Sequence, residues 1–105
     1  MDRIDILKSF ISQSPGDHFS RHALALEYIK AGDDVSAREQ FEWILAADPG
    51  YIGSYYHLGR LLERQGNPSA AQAVYEDGIR AANMAGDRHA AGELRSALDN
   101  VDDLV

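Results

Sequence analysis

Moved along by 34 residues, the sequence falls on itself: Leu24 meets Leu58, Ala25 meets Gly59, Tyr28 meets Leu62, Gly32 meets Gly66, Ala37 meets Ala71 and Phe41 meets Tyr75. A chain with such a period is made of copies of one supersecondary unit, none of which buries its apolar face alone, so the fold has to be a stack. Each copy reads as two helices joined by a glycine turn, 18–31 with 34–47 and 53–65 with 68–82. Gly32 and Gly66 supply the left-handed backbone that stops a helix. Asp34 and Asn67 are placed as N-caps, and Pro68 sits at a first helical position, where its missing N–H costs nothing.

The order Leu, small residue, Tyr or Leu, Gly, Ala, aromatic, then Pro49 resembles the tetratricopeptide repeat over residues 18–85. Ala25, Gly59, Ala37 and Ala71 let paired helices approach closely, and Phe41 or Tyr75 fills the space beside them. The chain departs from the pattern at several places. Arg21 and Tyr55 stand at the usual early Trp, Ile44 and Gly78 at the later Ala, and Asn83 where the first copy has Pro49.

Two repeats bury too little on their own, so the flanks must contribute. Pro15 lies 34 residues before Pro49, which sets Leu7 and Phe10 on Phe41 and Ile44 and makes residues 3–12 the second helix of a half-repeat. A helix over 88–104 carries Ala90, Ala91, Leu94, Ala97, Leu98, Val101 and Leu104 at helical spacing, with Asp99, Asp102 and Asp103 on its solvent side. The expected organisation is one all-α domain of about six antiparallel helices in a short right-handed solenoid. It comprises a half-repeat helix in 1–17, repeats over 18–51 and 52–85, and a capping helix in 86–105.

Composition narrows the function. Of 105 residues 45% are apolar and none is Cys, which removes disulfides, thiolate metal sites and thiol nucleophiles. A net charge of −7 argues against nucleic acid or an anionic membrane as partner. The N-terminus is interrupted by charges every few residues, and the chain reads as soluble and cytoplasmic. There is no phosphate loop, no HExxH and no GxSxG, so neither a cofactor nor an enzymatic activity is expected. Asp17, His18 and His22 are the nearest approach to a metal site. Lacking a further ligand, they read as a helix cap with two rim histidines.

The remaining candidates suit binding. The helix 18–31 is apolar on two faces: Leu24, Tyr28 and Ala31 pack, while Phe19, Leu26 and Ile29 with His22 form a second stripe. Their counterparts 34 residues on are Gly53, Arg60, Glu63 and Tyr56, and Arg64 lies one turn beyond Arg60, beside His57. The resemblance implies that this face lines a concave groove for a peptide or helix of a partner protein. Arg60 and Arg64 favour an amphipathic partner carrying acidic residues, unless they pair with Glu63 or Glu27. Some family members clamp the EEVD tails of heat-shock chaperones with Lys and Asn on this face. Here His22, Leu26, Tyr56, His57 and Arg60 stand there instead, so that ligand does not carry over. Trp43 falls on the side of Glu39 and Ala46, away from Phe41, and is the candidate for self-association. The alternative function is therefore a homodimeric assembly unit, held through Trp43 or through the apolar stripe.

Overall fold

The computed structural model describes residues 2–105, which form six helices: α1 Arg3–Gln13, α2 His18–Lys30, α3 Asp34–Ala47, α4 Gly53–Arg64, α5 Pro68–Ala85 and α6 Arg88–Asp102. No strand occurs among the described residues, and none of their helices is long and apolar enough to cross a membrane. Gly32 and Gly66 follow α2 and α4 at φ 79° and 76°. Asn67 caps α5 by accepting the Ala70 N–H at 3.2 Å, with Pro68 as the first helical residue.

The cap of α3 and the end of α5 differ from expectation, each for a local reason. The cap of α3 is Asp33, whose Oδ1 accepts the Ser36 N–H at 3.1 Å, whereas Asp34 is already helical. A capping carboxylate must reach an N–H three residues on, and after the turn at Gly32 the first aspartate is the one so placed. The helix α5 runs to Ala85 rather than to 82. Asn83 does not block the helix as a proline would, so the stop falls on Gly86 at φ 71°, with the Asp87 N–H donating back to the Ala82 carbonyl.

The chain divides into two compact units, one ending at Ala47 and the other Asp48–Val105. In the first, α2 packs against α3 and α1 lies on α2. Leu7, Leu24, Ala25, Ala37, Phe41 and Ile44 are buried, and Arg3 Nε reaches Glu27 Oε1 at 2.7 Å. Phe10, aligned with the fully buried Ile44, is half exposed; α1 begins the unit and packs on a single helix.

In the second unit α5 packs against both α4 and α6. Its helix contacts are close enough to require glycine. A Cβ at Gly59 would stand 2.1 Å from the Tyr75 ring, and one at Gly78 would stand 2.7 Å from Tyr55 Cβ. Tyr55 itself is anchored by its hydroxyl, which donates to the Pro49 carbonyl. The core face of α6 is Ala91, Leu94, Ala97 and Val101, while Leu104 is exposed beyond the helix end.

Candidate functional site

The helix α2 starts where Asp17 accepts the Ser20 N–H at 3.1 Å and the Ser20 hydroxyl at 2.5 Å. The hydroxyl bond, ahead of the backbone bond, holds the Asp17 carboxyl below its ordinary range. Its acceptor capacity is thus turned onto the helix end. Among the described residues no group of three or more His, Asp or Glu side chains is placed to hold a metal ion.

With this start, α2 buries Ser20, Leu24 and Ala25; Phe19 and Leu26 lie on the side away from Ser20 and Leu24, and His22 and Ile29 flank Ala25. Phe19 is 75% exposed, Leu26 and Ile29 are half-buried, and the His22 ring stands edge-on to Phe41 at 5.6 Å. The stripe therefore combines an open end at Phe19 with a half-covered remainder.

Trp43 is not a bare surface residue. The Arg21 guanidinium stacks 3.7 Å from its ring centre, and the His18 ring meets it edge-on at 5.8 Å. Arg21 also donates to the Pro15 carbonyl and to Gln40 Oε1, each at 3.2 Å, which leaves Trp43 41% exposed. The position that carries Trp in the repeat pattern holds Arg here. A tryptophan supplied by α3 stacks against that Arg, a pairing the repeat alignment does not reveal.

In the second unit the α4 candidates split in character. Glu63 is half-buried and accepts the Tyr75 hydroxyl, and burial together with Glu63 pushes the Tyr75 phenol well above its ordinary value. Glu27 pairs with Arg3 and, at 3.6 Å, with Lys30. Glu63 thus meets Tyr75, and Glu27 meets Arg3 and Lys30, while Arg60 and Arg64 are exposed.

Tyr56, half-buried, meets the His57 ring edge-on at 5.8 Å and lines two adjoining hollows between α4 and α6. One, of about 180 Å³, is apolar, with Ile52, Gly53, His57, Ala90 and Leu94 in its walls. The other, of about 230 Å³, is polar, with Arg60, Ser96 and Asn100. Glu93 borders both, and its Oε1 lies 3.1 Å from His89 Nε2. Burial lowers the His57 pKa first, Arg64 lowers it further, and Glu93 works against them. The α6 side of this cleft is missing from the candidates read in the sequence. Its signal was the recurrence of Ala90, Glu93 and Asn100 at helical spacing beside the core stripe. Each hollow is smaller than the 300–1,000 Å³ usual for a cofactor pocket, so the cleft is scaled to side chains.

No family model matches the chain. A TPR repeat-containing protein of Pseudomonas aeruginosa is 26% identical over 99 residues, covering 94% of each chain. A tetratricopeptide repeat and J domain-containing co-chaperone of Fusarium oxysporum is 32% identical over 65 residues, 62% of this chain but 12% of that protein. The crystal structure of a tetratricopeptide repeat domain protein from Salinibacter ruber superposes with a TM-score of 0.81 at 37% identity, over 85% of this chain and 99% of that one.

Proposed function

The chain belongs to the tetratricopeptide repeat family, a fold typical of protein–protein interaction modules, and we propose that it is such a module, non-catalytic and cytoplasmic, holding a peptide or helix of a partner protein. In this reading 18–51 and 52–85 are the repeats, α1 is a half-repeat and α6 is the cap. The contact residues are Phe19, His22, Leu26 and Ile29 on α2 in the first unit and, in the second unit, Tyr56, Arg60 and Arg64 on α4, where Glu63 holds Tyr75.

The observation that carries the reading is Phe19, 75% exposed at the open end of an apolar stripe. Covering Phe19 is worth about 1.5–3 kcal/mol before association entropy is subtracted, and completing the burial of the half-covered Leu26 and Ile29 adds a smaller gain from each. The exposed arginines fit a partner that is amphipathic with acidic residues, charge setting its orientation more than its affinity.

The test uses a partner co-purified from native extract and titrated against purified variants. Leu26→Asp should weaken it roughly tenfold or more, the loss expected of a buried anchor. Arg60→Glu should give a smaller, salt-dependent loss. Trp43→Ala should leave the partner's affinity unchanged. An unchanged affinity for Leu26→Asp contradicts the assignment of the stripe.

A further inference from the structure

The outer face of α3 lies apart from every residue assigned to the contact with the first partner. Ala37, Phe41 and Ile44 are its buried side, and at about 100° per residue the opposite direction is that of Val35, Glu39, Trp43 and Ala46, with Glu42 at the edge. All five are exposed. Val35, Glu39 and Trp43 follow one another at intervals of four and make one ridge, and from Val35 to Ala46 the face rises about 16 Å, roughly three turns.

This face is apolar and acidic at once. Asp33, Asp34, Glu39, Glu42 and Asp48 stand against the single base Arg38, so residues 33–48 carry −4 of the chain's −7. Arg38 itself has its Nε 3.4 Å from Glu42, while Glu39 lies one turn from Trp43. The indole is held in place by the Arg21 guanidinium stacked on it and by the His18 ring edge-on to it, yet much of it stays open. An aromatic already fixed gives contact area with little further loss of side-chain freedom.

Apolar surface interleaved with carboxylates complements lysine and arginine, whose aliphatic stems lie on apolar groups while their heads reach an acid. The same charges repel nucleic acid and anionic membrane. The amides of mid-α3 bond within the helix, so an extended segment laid on this face would find no main-chain partner there. A helix brings its own amides already satisfied.

We propose that the outer face of α3 docks a basic amphipathic helix of a second partner protein, its aliphatic groups on Val35 and Trp43 and a lysine or arginine on Glu39. The α2 stripe and the exposed arginines of α4 favour acidic residues in their partner, so the two surfaces select different proteins.

Trp43 is the chain's one tryptophan, and its fluorescence reports on this face directly. The probe is the helical peptide acetyl-Lys-Leu-Lys-Ala-Lys-Leu-Ala-Ala-Leu-Lys-Ala-Lys-Leu-Ala-amide, in which lysines flank a stripe of leucines. Titrated into the full isotope-labelled chain, it should change the indole fluorescence and shift the amides of Val35, Glu39, Trp43 and Ala46. Trp43→Ala, followed by amide shifts, should weaken binding roughly tenfold or more, as the loss of a central anchor does. Glu39→Lys should weaken it roughly fivefold and make it less sensitive to salt. Because Trp43→Ala also removes the Arg21 stack, the exposed Glu39 keeps the test decisive if that variant unfolds. The same peptide with every lysine replaced by glutamate should leave the fluorescence unchanged. Equal affinity of the parent and Glu39→Lys, or binding of the glutamate peptide, would overturn the proposal. So would a fluorescence that stays constant up to about 1 mM lysine peptide, the weak end of specific association. Shifts confined to Phe19, Leu26 and Ile29 would overturn it while leaving the interaction-module reading standing. A dimer of the full chain that Glu39→Lys or Trp43→Ala splits would give the face to a second copy and overturn it as well.

Discussion

At Gly59 an added methyl would enter the Tyr75 ring at 2.1 Å, while at Gly92, also inside a helix, it would meet nothing within 4 Å. Replacing a mid-helix glycine by alanine gains about 1 kcal/mol of helix propensity. That gain stands alone at Gly92, but at Gly59 it is outweighed by overpacking against a fully buried ring, worth about 1–3 kcal/mol or more. Gly92→Ala should therefore raise the urea midpoint and Gly59→Ala should lower it; shifts of the same sign would contradict the close α4–α5 contact. His57 makes a separate prediction. Its folded pKa is lowered from 6.5, so just below that pH the unfolded chain holds a proton that the folded chain does not. Stability should fall as pH drops through this window and level off once the folded imidazole also protonates. His57→Gln should flatten that limb relative to the parent, as read from unfolding midpoints between about pH 7.5 and 5.

Between α2 and α3 the stack of Arg21 on Trp43 and its bond to Gln40 span the hairpin. A double-mutant cycle of Arg21→Ala with Trp43→Ala should give a coupling of about 0.5–2 kcal/mol in unfolding free energy. A coupling near zero would remove Arg21 as a hairpin clasp. This pair marks the boundary of what the sequence made legible. The helices, their glycine stops and the packing alanines follow from a period set by backbone geometry, which any sequence of this kind has to obey. The Arg21–Trp43 stack departs from that period, joining residues 22 apart whose partnership depends on side-chain directions across two helices. The α4–α6 cleft was hidden for a related reason. Ala90 and Leu94 read as core of a capping helix, and nothing in one helix's pattern tells which of its flanks a neighbour leaves open. Asn67→Ala, by contrast, tests a feature the sequence did specify and should cost about 1 kcal/mol through the lost α5 cap.

For the whole molecule, a stack of incomplete units predicts that the ends matter. Removing residues 1–12 or 88–105 should give a chain that aggregates or loses helicity by circular dichroism, because neither hairpin buries its apolar face alone. A monomeric, cooperatively unfolding 18–85 fragment would contradict that dependence. The central functional claim is that the α2 stripe of Phe19, Leu26 and Ile29 awaits a different protein and not a second copy of this chain. Sedimentation velocity of the full chain from micromolar to millimolar concentration, with Leu26→Asp alongside, tests it most directly. A monomer is expected throughout, with both proteins sedimenting alike; a concentration-dependent dimer that Leu26→Asp splits into folded monomers would show that the stripe binds a second copy instead.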